Sequence, residues 1–144
     1  MIAIDTNVLL RYLLWDDEVQ SPKAEAIITG NSLILVSDIV LVETLWTLQG
    51  KKYHISKEET LAVINALFEE PNIFFEDGQT IWCAVNDYRQ AEKIKVSKKK
   101  KQADFPDTLM VNKAKYIAKQ KKETLEAVYT FDIAVQEMEG VEAP

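Results

Sequence analysis

At 144 residues, with 47% hydrophobic and 28% charged positions, the chain has the size and balance of one ordinary soluble domain able to bury a core without staples. Its formal charge of -6 argues against indiscriminate nucleic-acid binding, which depends on neutralising phosphates with lysine and arginine. A single cysteine excludes an internal disulfide and a multi-cysteine zinc site, and no opening leader or long apolar stretch predicts a membrane partner.

Residues 2–5 read as a short buried strand. A helix follows over 7–15; the next begins near Ser21-Pro22, with serine as cap and proline in the first turn, and stops at Gly30. Residues 33–36 form a second apolar strand, followed by a helix capped by Ser37 or Asp38 that ends near Gly50. Ser56-Lys57-Glu58-Glu59 is a capping box opening a helix with Leu61, Ile64 and Phe68 on one side, closed by Pro71. Residues 72–75 make a third strand and 79–94 a helix, in which Cys83 sits among Ile81, Trp82 and Val85 and is expected to be a buried, inert thiol. A polar loop is expected over 96–104, then a helix over 105–122 with the stripe Asp107, Met110, Ala114, Ala118. A fourth strand covers 127–130, a short helix follows Asp132, and Val141 begins a last edge strand.

Apolar strands separated by helices predict a parallel sheet covered on both faces. In such sheets ligands bind beyond the carboxyl ends of the strands. Asp5 ends the first strand, Glu43 lies within two turns after the second, and Asp132 follows the fourth. Each carboxylate also has a simpler reading. Asp5 and Asp107 suit helix caps, Asp104 reads as the cap or a supporting group rather than a primary ligand, Asp132 suits a turn, and Glu43, expected to face inward among Ile39, Val40 and Trp46, could pair with Arg11 or Arg89. Together those readings weaken. Two like charges ~4 Å apart repel by about 4 kcal/mol at an effective dielectric near 20, so a gathered cluster calls for a cation or for retained protons.

Oxygen donors with no histidine beside them suit Mg²⁺ or Mn²⁺ and argue against zinc or copper. His54, the only histidine, belongs to a polar connector and reads as a surface residue. No glycine-rich phosphate loop or nucleophile elbow is present. The run Lys98-Lys99-Lys100-Lys101 directly precedes Asp104 and Asp107. On charge alone a solvated loop is its simpler reading, and contact with a phosphate backbone the functional one.

Four segments resemble those of PIN-domain ribonucleases, among them the VapC-type toxins of bacterial toxin–antitoxin pairs. Ile4-Asp5-Thr6-Asn7-Val8-Leu9-Leu10-Arg11 is similar to the family's opening, Val36-Ser37-Asp38 through Glu43 to its second motif, Ala103-Asp104-Phe105-Pro106-Asp107 to its third, and Tyr129-Thr130-Phe131-Asp132 to its fourth. The Gly140-Val141-Glu142 segment resembles the family's close. The resemblance spans nearly the whole chain and implies one PIN-like domain over residues 1–144, a three-layer α/β/α sandwich with a central, mostly parallel sheet. It also implies Mg²⁺-dependent cleavage of RNA, a homodimer, and inhibition by a cognate antitoxin; the lone cysteine, for its part, fits a reducing cytoplasm. Asp5, Glu43, Asp107 and Asp132 would be the metal-binding and catalytic residues, supported by Thr6, Asp104 and Thr130; apart from the resemblance, Lys98, Lys99, Lys100 and Lys101 are expected to contact the RNA backbone through their charge. The chain departs from the family in that basic run, in Lys113 and Lys115 on the helix after Asp107, and in its Glu-Ala-Pro ending. Two other readings fit the same residues: a metal-dependent phosphatase acting on a small phosphate ester, and a non-catalytic interaction module.

Overall fold

Apolar strand runs that alternate with helices produce parallel pairing here, as the sequence predicts. The computed structural model describes residues 1–144, which form two units, Met1–Gly78 and Gln79–Pro144. The first contains β1 (Ile2–Ala3), α1 (Thr6–Leu14), α2 (Gln20–Ile28), β2 (Ile34–Val36), α3 (Asp38–Gln49), α4 (Lys57–Glu69) and β3 (Ile73–Phe75). The strands run parallel in the order β1-β2-β3, with Ala3 opposite Leu35 and Val36 opposite Phe75. Helical crossovers are what permit parallel neighbours, since a tight turn cannot return the chain to the same direction.

Strand β2 is bonded on both sides, and Ile34 and Val36 are wholly buried, as are Leu9, Ile28, Leu41, Leu45 and Ile64 on the helices. The opening strand corrects its expectation. It is an edge strand with Ile2 41% exposed, and only Ile4 of the segment is buried. An apolar run looks the same in sequence whether its strand is central or at an edge. The capping box of Ser56 and Glu59 forms at the start of α4, as predicted.

The second unit holds most of α5 (Gly78–Gln90), then β4 (Ile94–Val96), β5 (Lys99–Lys101), α6 (Phe105–Lys121), β6 (Val128–Tyr129), α7 (Ile133–Gln136) and β7 (Val141–Glu142). Ala103, Val111, Val128, Val135 and Val141 pack into one buried cluster. The predicted fourth strand is shorter than expected and pairs in parallel with β7, Val128 opposite Val141, as a separate two-stranded sheet. Hydrophobic pattern identifies a strand but not its partner. The loop expected over 96–104 is replaced by an antiparallel hairpin of β4 and β5, turning at Ser97-Lys98 with Ser97 at φ 56°.

Helix phase produces two further corrections. On α5 the buried face is Ile81, Ala84, Val85 and Tyr88, which turns Cys83 and Trp82 outward; the thiol is exposed. On α6 the buried face is Phe105, Thr108, Leu109 and Val111, so Met110 of the expected stripe lies on the exposed side. The fold is α/β with mostly parallel strand pairing, and no helix is long and apolar enough to cross a membrane.

Candidate functional site

At the end of β1 the chain turns into α1 through Asp5, whose Oδ1 accepts the Val8 amide at 2.9 Å. The cap therefore engages Oδ1. Thr6, the first residue of α1, donates its hydroxyl to Glu43 Oε2 at 2.7 Å. This bond joins α1 to α3 and fixes the carboxylate of Glu43 near the residue that follows Asp5. Glu43 itself is exposed, as are Ile39 and Trp46, so the expectation of an inward-facing glutamate is not met. The salt-bridge reading also falls. Arg11 pairs with Asp16 at 2.6 Å, and Arg89 donates to Asn86 at 3.1 Å.

The same sheet edge carries an acidic residue that sequence reasoning missed. Glu76, just after β3, accepts the backbone amide of Asp38 at 2.5 Å through Oε2, satisfying a donor at the open start of α3. Its position immediately beyond a strand's carboxyl end was the available signal.

In the second unit Asp104 and Asp107 form a reciprocal capping box at the start of α6. Asp107 donates its amide to Asp104 Oδ1 at 3.0 Å, and Asp104 donates its amide to Asp107 Oδ2 at 3.0 Å. The sequence reading of Asp104 as cap is met, and Asp107 proves to be its partner in the box. Asp107 is half-buried, and its carboxyl is pushed up to about 6. Burial is the main cause; the Asp104 amide opposes it, and the Asp104 carboxylate and the charge of Asp132 add to it. The raised value is first a mark of burial, with the neighbouring carboxylates adding to it. Asp132 caps the short α7 through Oδ1 to the Ala134 amide at 2.9 Å, and its own amide donates to the Thr130 hydroxyl at 3.1 Å. Asn112 holds Asp87 at 2.7 Å, a pair the sequence did not suggest.

Lys98 to Lys101 are exposed on the hairpin and its turn, and His54 is exposed in the connector, as expected. No three carboxylate, imidazole or thiol groups lie close enough to hold one ion. The donors that do lie together, Glu43 with Thr6 and Asp107 with Asp104, are all oxygen, a set whose chemistry fits Mg²⁺ or Mn²⁺.

Comparison with solved structures finds the crystal structure of VapC20 from Mycobacterium tuberculosis, a toxin that cleaves the sarcin-ricin loop. It is 15% identical, with 99% of this chain and 98% of that chain covered at a TM-score of 0.40. No curated protein matches. The sequence matches the PIN domain over residues 2–141, and the chain belongs to the PIN domain family.

Proposed function

We propose that this chain is a Mg²⁺- or Mn²⁺-dependent endoribonuclease, the VapC-type toxin of a toxin–antitoxin pair. Membership of the PIN family over residues 2–141 supports the reading, as do acidic residues at each of the four motif positions. The observation that carries it is the Thr6–Glu43 hydrogen bond beside Asp5, at the carboxyl edge of a parallel sheet.

In this reading Asp5, Glu43, Asp107 and Asp132 would be the metal-binding carboxylates, with Asp132 orienting the water or a second ion. When bound, such an ion polarises a phosphoryl oxygen and lowers the pKa of a water. The Thr6 hydroxyl orients the Glu43 carboxylate, Asp104 presents Asp107 from its capping box, and Thr130 positions Asp132 by accepting its amide. Lys98 to Lys101 contact the phosphate backbone of the RNA. Solvent-facing Ile39 and Trp46 on α3 support a protein partner, a second copy or a cognate antitoxin, for that helix.

The test is cleavage of an RNA pool by purified protein with Mg²⁺ and with EDTA, using Asp5→Asn to expose a contaminating nuclease. Cleavage that needs the ion and is lost in the variant supports the proposal. Turnover of nitrophenyl phosphate without RNA cleavage would replace it with a phosphatase, and silence toward both would replace it with an interaction module.

A further inference from the structure

The hairpin sets one lysine directly across from another. Lys95 pairs with Lys100, while Ile94 lies opposite Lys101 and Val96 opposite Lys99. Opposed residues of an antiparallel pair point to the same face, and successive residues point to opposite faces. The ribbon therefore has two unlike sides. Ile94 and Val96 are partly buried, β4 packs against α7, and their face also carries Lys99 and Lys101. The other face carries Lys95 and Lys100, both exposed.

Like charges set directly across a ladder destabilise it. Neither lysine forms an ion pair with a carboxylate that would relieve the repulsion. A bound anion would. We propose that Lys95 and Lys100 form a cross-strand clamp for phosphates of the RNA backbone. The inference rests on the RNA-cleaving reading above, and it adds Lys95, a residue outside the four-lysine run.

The clamp holds RNA without reading its sequence. The ribbon from Ile94 to Lys101 contains only Ile, Val, Ser and Lys. It has no aromatic ring to stack on a base and no amide or guanidinium to grip a base edge in two places. What it offers is charge at a fixed spacing, suited to phosphate. Alternation along β5 also divides the basic run: Lys100 acts with Lys95 as the principal phosphate contact, while Lys99 and Lys101, on the face of Ile94 and Val96, contribute more weakly.

The competing use of such lysines is to keep an exposed edge strand from pairing with another molecule. Binding of the full chain to labelled oligo(U) and oligo(A) of equal length, in EDTA across a salt series, separates the two. The Lys95→Gln/Lys100→Gln variant is expected to lower the log–log salt slope by about 1.4, about 0.7 per lost contact, for both oligomers alike. Two variants of equal charge change serve as comparison, Lys99→Gln/Lys101→Gln and Lys119→Gln/Lys121→Gln, with smaller effects expected. An unaltered fold by circular dichroism accompanies each.

A slope no smaller than that of the comparison variants would overturn the clamp, as would aggregation of the variant at unchanged RNA affinity. A loss confined to one of the two oligomers would overturn its indifference to sequence. Failure of the parent protein to bind either oligomer would instead remove the RNA reading itself.

Discussion

The hydroxyl of Thr6 lies 2.7 Å from Oε2 of Glu43, joining the first helical residue after β1 to the middle of α3. The bond spans a pair 37 residues apart in sequence and fixes the orientation of an otherwise exposed glutamate. Thr6→Val removes the donor and nothing else of similar size. Because the pair is solvent-exposed, stability should change by less than about 1 kcal/mol. RNA cleavage should fall roughly 10- to 100-fold, the usual cost of losing a group that orients a metal ligand. Thr6→Ser should recover most of it. Equal activity in all three proteins would detach the bond from catalysis.

Asp107 gives a pH signature. Its carboxyl titrates near 6 in the folded protein against an ordinary 3.8, so the folded state binds this proton more tightly than the unfolded state. Its contribution to stability is therefore complete below about pH 4 and lost as pH rises through 6. The full shift would correspond to roughly 3 kcal/mol, but the group is only half-buried, and about 1 kcal/mol is the expected effect. In metal-free buffer Asp107→Asn should raise the melting temperature at pH 7 by about 3 °C and flatten the slope between pH 4 and 6. A variant with the parent's pH dependence would show that another group is responsible.

Divalent ions should act on the same charges. If the carboxylates hold Mg²⁺, adding it in the millimolar range raises the melting temperature by mass action, about 2.7 kcal/mol at a hundredfold excess over the dissociation constant. Asp107→Asn should shrink that gain. Superimposable melts with Mg²⁺ and with EDTA would count against the site without reference to catalysis.

The capping box of α6 carries its own expectation. Asp104→Ala leaves the Asp107 amide without its partner and should cost about 1 kcal/mol, read by chemical denaturation. Asp104→Asn retains an acceptor and should cost less. The two variants unfolding alike would mean that the box is satisfied by water.

At the hairpin, Ser97 occupies the left-handed region at φ 56°, where glycine avoids the steric cost of a side chain. Ser97→Gly should stabilise the ribbon by up to about 1 kcal/mol, seen as slower amide exchange across Ile94 to Lys101. Faster exchange would show that the added freedom of the unfolded chain outweighs the relief.

Much of this protein was legible from residue order. The strands after Met1, around Ile34 and around Phe74 announced themselves by unbroken apolar character, and Ser56-x-x-Glu59 announced a helix start, because both signals are local. Caps are local too, so Asp5, Asp104 and Asp132 could be placed at helix entrances from their neighbours alone. The acidic character of the candidate site and its oxygen-only chemistry followed from composition.

Pairing and facing belonged to the tertiary structure. Edge exposure of β1, the partnership of β6 with β7, the outward turn of Cys83 and Glu43, and the donation of Thr6 to Glu43 all depend on which surfaces meet. The lysine run is the clearest case. Sequence alone presents four consecutive charges, whereas a strand's two-residue alternation and its register with Ile94 to Val96 separate them onto two faces and bring in Lys95. Residue order determines what each segment can become; long-range contacts, whose energies exist only once the chain has closed on itself, decide which side chains finally stand together.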